Sequence, residues 1–246
     1  MRIGIFDSGI GGLTVLKRIL NVYSNTEYLY YADTKNLPYG DKTQEELIEI
    51  GKNIISFFEN NGVDTIVIAC GTCSSLVDEY RKITNIPIFD VITPTVQYVK
   101  DKYKSVALLA TEATIENGTF QKALENEGVK VKTIACPSFV PYIEGLSKVE
   151  PDYSPLLNLR EEGIDGIILG CTHYPYLREI IENISGLPTI DMGKCITKLI
   201  EVDNSNNKSV TIYVSKTTPG LEEIIESIID FDVDIVDLDN KLKKTI

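Results

Sequence analysis

The chain has 246 residues, of which 43% are hydrophobic and 24% charged, and a formal net charge of −12. That length suits one large or two modest domains with ample core. The negative charge, unrelieved by any Lys/Arg cluster, argues against a nucleic-acid partner, and no apolar run approaches the roughly 20 residues that span a bilayer.

The chain opens on a strand pattern, Arg2-Ile3-Gly4-Ile5-Phe6, so no signal peptide is expected. The expected location is therefore the cytoplasm, where the five cysteines stay reduced and no disulfide framework forms. The Asn117-Gly118-Thr119 sequon is then a chance match. Further strands are expected at 28–31, 64–70, 86–90, 105–110, 130–134, 165–170, 188–191, 210–214 and 233–237. Helical patterns fall between most of them, at 12–23, 43–61, 74–84, 95–103, 115–127, 154–162, 176–184, 193–202 and 219–230. This alternation predicts an α/β fold with parallel sheets covered by helices on both faces.

Two features suggest an internal duplication. Arg2–Phe6 followed by Asp7-Ser8-Gly9 resembles Val106–Ala110 followed by Thr111-Glu112-Ala113, and Cys70 and Cys171 end similar apolar runs. The offsets are 104 and 101 residues. The expected organisation is a first α/β domain over 1–93 plus 208–246 and a second over 94–207. Pro94 marks one crossing, and the polar stretch Asp203–Lys208 marks the return. The two halves would be related by pseudo-symmetry, with the site in the cleft between them.

Cys70 and Cys171 carry the chemistry. Each follows a short apolar run that reads as a buried parallel strand, and each is followed closely by a threonine, Thr72 or Thr172. Ligand groups in open α/β sheets sit beyond the C-terminal strand ends. Two thiols so placed are suited to proton transfer on opposite faces of one carbon, since thiolate basicity is tuned by helix termini and nearby charges. The only histidine, His173, lies two residues after Cys171 and can assist it. Asp7 can do the same for Cys70 if the first and third strands are neighbours.

Other motifs are less specific. Asp7-Ser8-Gly9-Ile10-Gly11-Gly12 is either an anion-holding turn or a tight strand-to-helix turn with Asp7 or Ser8 as N-cap. It matches neither dinucleotide nor P-loop spacing. Leu37-Pro38-Tyr39-Gly40 is a turn whose backbone N–H groups can hold a carboxylate. Thr111 and Thr114 are caps or substrate hydroxyls. Cys136 through Glu144 reads as a core-covering loop that ends in an acid of undecided burial, and Cys195 as a buried, inert thiol. Cys70-Gly71-Thr72-Cys73 admits two rivals: a dithiol redox site, or zinc on Cys70, Cys73, Cys171 and His173. Neither is preferred, because the spacing lacks a second tight knuckle and Cys73 reads as a small buried residue. No cofactor or metal is expected, and no lysine is obviously placed for a pyridoxal phosphate Schiff base.

These motifs together resemble the cofactor-independent aspartate/glutamate racemase superfamily, and most closely its glutamate racemases. The resemblance rests on Phe6 through Leu16, Tyr31-Ala32-Asp33-Thr34, Pro38-Tyr39-Gly40, Ala110-Thr111 with Thr114, Pro137 through Glu144, and Gly170-Cys171-Thr172-His173-Tyr174-Pro175. It implies two similar α/β domains and a two-base mechanism. Cys70 would act on the D enantiomer with Asp7 beside it, and Cys171 on the L enantiomer with Glu144 and His173 beside it. It further implies that Ser8, Pro38, Tyr39, Gly40, Gly71, Thr72, Thr111, Thr114 and Thr172 contact the substrate, and that D-glutamate is supplied to peptidoglycan synthesis.

The family usually reads Ala-Cys-Asn-Thr-Ala at the first cysteine, where this chain has Ala69-Cys70-Gly71-Thr72-Cys73, and a serine follows the aspartate where this chain has Met192. The missing asparagine is expected to remove a substrate hydrogen bond, which Gly71→Asn would restore. The alternatives are a racemase for aspartate or another amino acid, or a non-catalytic amino-acid-binding or regulatory protein. A homodimer is compatible with the sequence.

Overall fold

The computed structural model describes residues 1–23, 26–197, 209–217, 220–230, 232–240 and 242–245. β1 (Arg2–Asp7) runs through a glycine-rich turn into α1 (Leu13–Val22), and β2 (Glu27–Ala32) then pairs with β1 in parallel. α2 (Gln44–Asn60) opens on a capping box. The Thr43 hydroxyl accepts the Glu46 N–H, and the Glu46 carboxylate accepts the Thr43 N–H, so two otherwise orphaned helix donors are satisfied. β3 (Thr65–Ile68) is buried on both faces and leads into α3 (Gly71–Ser74), α4 (Val77–Arg81) and β4 (Ile88–Asp90).

α5 (Ile92–Lys100) carries the chain to the second sheet. Pro94 lies in its first turn, where the missing N–H has no helical partner to lose. The second unit consists of β5 (Ser105–Ala110), α6 (Glu112–Asn117), α7 (Thr119–Asn126), β6 (Lys130–Ala135) and α8 (Phe139–Ile143). It continues through β7 (Gly166–Leu169), α9 (Arg178–Ser185), β8 (Thr189–Asp191) and α10 (Met192–Ile196). The chain then rejoins the first sheet with β9 (Ser209–Val214), α11 (Leu221–Ile228), β10 (Asp234–Asp237) and β11 (Leu242–Thr245).

The first sheet has seven strands in the order β11-β10-β9-β2-β1-β3-β4, and the second has four in the order β6-β5-β7-β8. The segment β2-β1-β3-β4 therefore has the same order as the whole second sheet, with β1 equivalent to β5 and β3 to β7. Every pairing is parallel except β10 with β11. One apolar cluster runs from Ile3 and Ile5 of β1 through Leu16 of α1 and Val96 of α5 to Ile168 of β7 and Ile196 of α10. The two sheets thus share a core, and α1, α5 and α10 form its seam.

Several elements differ from the expectation. The helical pattern over 115–127 is broken at Gly118, whose φ of +77° ends α6. Only a short 3-10 turn, Ser154–Leu156, forms within 154–162. The helix expected from 74 begins directly after Cys70 and is interrupted between α3 and α4. The segment 139–143, read as loop, is helical, and β11 adds an antiparallel edge. The end of the pattern at 193–202, the return crossing at 203–208 and the start of the pattern at 219–230 lie outside the described residues. No helix among the described residues is long and apolar enough to cross a membrane.

Candidate active site

Cys70 and Cys171 each stand two residues beyond the last residue of equivalent strands, β3 and β7. Both line one cleft of about 590 Å³, its open mouth included. Ser8, Pro38, Tyr39, Gly40 and Thr72 form the wall on the Cys70 side, and Thr111, Thr172 and His173 join Cys171 on the other. Both thiols are nearly enclosed, at 4% and 8% exposure.

On the Cys70 side, β1 pairs with β3, so Asp7 ends a strand adjacent to the one that carries Cys70. Asp7 is fully buried. Its Oδ2 accepts the Gly12 N–H at 2.8 Å and the Gly9 N–H at 3.3 Å, and its Oδ1 accepts the Thr172 hydroxyl at 3.3 Å from across the cleft. The N-cap reading of the first loop is therefore corrected: Gly12 is the N-cap of α1, and the Asp7 carboxylate folds back onto the loop. Glycine is required at 12, where a Cβ would stand 2.6 Å from the Asp7 Cβ and the Tyr30 Oη. Burial pushes the Asp7 carboxyl up, against the pull of the His173 charge, the two N–H donors and the Thr172 hydroxyl. Cys70 is the N-cap of α3. Its thiol is held below the usual range by the neighbouring Cys73 thiol first, and by the Cys73 and Ser8 backbone N–H groups; burial and the Asp7 charge oppose them. Cys73 itself is fully buried and pushed well up, by burial first and then by Cys70.

On the Cys171 side, the thiol lies 3.7 Å from His173 Nδ1, and His173 Nε2 lies 2.5 Å from Glu144 Oε1. Glu144 closes α8 as its C-cap residue, with its side chain 15% exposed, so it is the partly buried acid rather than a solvated one. Burial is the largest single influence on the His173 imidazole and pulls it down. The Cys171 thiol, the Glu144 carboxylate and the Asp7 charge together outweigh it and hold the imidazole well above its ordinary value.

The threonines form a hydroxyl triangle across the seam. Thr72 Oγ1 lies 3.0 Å from Thr111 Oγ1, which lies 2.9 Å from Thr114 Oγ1. Thr111 also caps α6 by accepting the Thr114 N–H. Thr114 is fully buried behind Thr111 and does not line the cleft. Tyr39 donates its hydroxyl to Asp33 at 2.7 Å. Asp191 is occupied as the N-cap of α10 and as an acceptor for Arg178 at 3.1 Å.

Gly71 follows Cys70 as the first residue of α3. Gly71 does not line the cleft, and a Cβ built there would lie 2.3 Å from the Gly170 carbonyl oxygen. Sequence reasoning also missed Cys136, Pro137, Val140 and Pro141 as cleft walls. The signal was available in the equivalence of β5 and β6 to β1 and β2, which brings the segment after β6 to the same end of its sheet as the segment after β2. Among the described residues, Cys70, Cys73, Cys171 and His173 do not form a metal-holding cluster, and no lysine or arginine lines the cleft.

An enclosed cleft with a thiol on each side and a histidine–carboxylate pair behind one of them is suited to proton transfer. The model of the Asp/Glu/Hydantoin racemase family matches residues 14–200. The glutamate racemase of Aquifex aeolicus (strain VF5) is 36% identical over 244 residues, covering 95% of this chain and 96% of that one. The structure of glutamate racemase from Aquifex pyrophilus matches with a TM-score of 0.84 at 34% identity, over 96% of this chain and 98% of that one. Glutamate racemase from Francisella tularensis in complex with D-glutamate matches with a TM-score of 0.83 at 26% identity, over 96% of each. The chain belongs to the Asp/Glu/hydantoin racemase family and is an amino-acid racemase.

Proposed function

We propose that this chain interconverts L- and D-glutamate without a cofactor, with Cys70 and Cys171 as the two bases. The observation that carries the reading is the pair of thiols beyond equivalent strands, both lining one cleft. In the D-to-L direction the Cys70 thiolate takes the Cα proton, and the Cys171 thiol delivers its own proton to the opposite face. The thiols end with their protonation states exchanged, and the reverse reaction resets them. Asp7 modulates Cys70 through its charge, and the Glu144–His173 pair supports Cys171. With no lysine or arginine in the lining, the substrate carboxylates meet hydroxyl and backbone donors from Ser8, Thr72, Thr111, Thr172 and the Tyr39–Gly40 turn.

Glutamate is favoured as substrate by relatives that match over nearly the whole chain at 33–36% identity. An aspartate racemase from Picrophilus torridus matches with a TM-score of only 0.57. The proposed role is supply of D-glutamate for peptidoglycan in the cytoplasm. The test is Cα proton exchange and inversion in D₂O over a panel of D- and L-amino acids. Cys70→Ser and Cys171→Ser should each lower racemisation by at least about a hundredfold. Full racemisation by either variant would overturn the two-base reading.

A further inference from the structure

Cys73 is a second thiol on the Cys70 side, and proton transfer does not use it. Its S–H donates to the Cys70 sulfur. Both thiols are free. Their separation is set by residues 71 and 72, which lie in the first turn of α3, closed by the Ser74 N–H on the Cys70 carbonyl at 2.9 Å. In such a turn, Cα atoms three residues apart stand at about 5 Å. Disulfides span Cα separations of about 4.4–6.8 Å, so the pair can be joined without moving the backbone.

The two thiols differ in access. Cys70 lines the cleft, and Cys73 is fully buried behind it. A small oxidant that enters the cleft therefore meets Cys70 first. Cys70 is also the thiol that ionises more readily, and the thiolate is the form that peroxides oxidise. The other half has no counterpart: His173 attends Cys171, and the residue three positions on is Tyr174.

We propose that Cys70 and Cys73 form an oxidation site, which a hydroperoxide converts to a disulfide that switches the racemase off and shields Cys70 from irreversible damage. The loss of activity rests on the two-thiol reading above; formation of the disulfide does not. In the first step the Cys70 thiolate attacks one oxygen of hydrogen peroxide. The O–O bond breaks, hydroxide leaves, and Cys70 becomes a sulfenic acid. In the second step the Cys73 sulfur attacks the Cys70 sulfur. The S–O bond breaks, and the hydroxyl leaves as water with the Cys73 proton. Oxidation of Cys70 removes the charge that helped hold that proton, so the first step prepares the second. A dithiol reductant returns both thiols and is itself oxidised. Without Cys73, the sulfenic acid lacks its adjacent thiol and goes on to sulfinic acid, which dithiols do not reduce.

The test treats the parent with limiting hydrogen peroxide, caps the remaining thiols with iodoacetamide and weighs the tryptic peptides. Peptide 53–81 contains Cys70, Cys73 and no other cysteine. The expected product is this peptide uncapped and short of two hydrogens. Racemisation should fall by at least about tenfold and return to within about twofold of its starting value on adding dithiothreitol. Cys73→Ser should carry Cys70 as sulfinic acid, and dithiothreitol should restore at least about tenfold less of its starting activity. The Cys171 peptide, read in the same digest, separates any loss at the other thiol. Sulfinic acid at Cys70 with no disulfide in the parent overturns the proposal, as does equal recovery in Cys73→Ser. The parent peptide decides even if the variant fails to fold. Failure of the two-thiol reading is seen separately, as the disulfide in protein of undiminished activity.

Discussion

Glu144→Gln isolates one of the contacts that hold the His173 proton, alongside the Cys171 thiol and the Asp7 charge. In the parent, His173 Nε2 lies 2.5 Å from Glu144 Oε1, the imidazole is fully buried, and its pKa stands well above the ordinary 6.5 despite the downward pull of burial. Glutamine keeps the shape and an acceptor oxygen but removes the charge. A hydrogen bond to a charged partner contributes about 1.5–3 kcal/mol, and one pKa unit corresponds to about 1.4 kcal/mol, so the imidazole midpoint should fall by about one to two units. The chain has one histidine, so ring signals from labelled imidazole report this group alone. The linked effect on stability has a fixed sign. A group whose folded pKa is raised contributes fully below its unfolded value of about 6.5 and loses that contribution as pH rises through the folded value. Chemical denaturation should therefore show a larger penalty for Glu144→Gln at pH 6 than at pH 9. A midpoint that stays in place or rises in the variant would refute the assignment of Glu144 as the charge that holds the proton.

Substitutions at two further positions, Asp7 and Cys73, probe the Cys70 side. The Asp7 carboxyl is raised by burial, so the unfolded chain ionises before the folded one, and Asp7 weakens the fold as pH rises from about 4 to the folded value. Asp7→Asn, compared with the parent by urea unfolding, should gain relative stability across that window while racemisation falls; a constant difference at every pH would refute the shift. Cys73→Ala should raise the Cys70 thiolate midpoint, read from the pH dependence of iodoacetamide alkylation in a Cys171→Ser background, and Cys73→Ser should restore part of the lowering. An unmoved midpoint would show that the Cys73 thiol does not bear on Cys70.

Most of the ten strands legible in the sequence have largely buried side chains, because a run such as Thr65–Ile68 or Gly166–Leu169 has few other uses, although β6 buries only Ile134. β11, with Lys243 and Lys244 between Leu242 and Thr245, has an edge-strand composition that carries no such signal. α8 is five residues long with Pro141 inside it, too short for periodicity to register. The thiols, Asp7 and His173 stood out in the sequence because each is a reactive side chain at or shortly after the C-terminal end of a strand. The geometry around Gly71 was not, since its decisive neighbour is the Gly170 carbonyl, 99 residues away and without a side chain of its own.

The duplication explains why one cleft can serve two faces of a carbon. Strand order β2-β1-β3-β4 recurs as β6-β5-β7-β8, so each half presents a thiol at the same place on its own sheet. When two such halves pack with these ends facing, both thiols line the one cleft, and this is the arrangement on which the proposed two-base reading rests. The surroundings then differ: a buried aspartate and a second thiol attend Cys70, while an imidazole backed by a carboxylate attends Cys171. An achiral catalyst could treat the enantiomers alike by symmetry, but this one is chiral and does so only through thermodynamics. L- and D-glutamate have equal free energy, so kcat/KM must be equal in the two directions, however unlike the two thiols are. Changes at Asp7 or Glu144 can therefore redistribute kcat and KM between directions but cannot make the enzyme one-way. On the proposed two-base reading, the unequal partners adjust how tightly each enantiomer is held and which thiol carries the proton at rest.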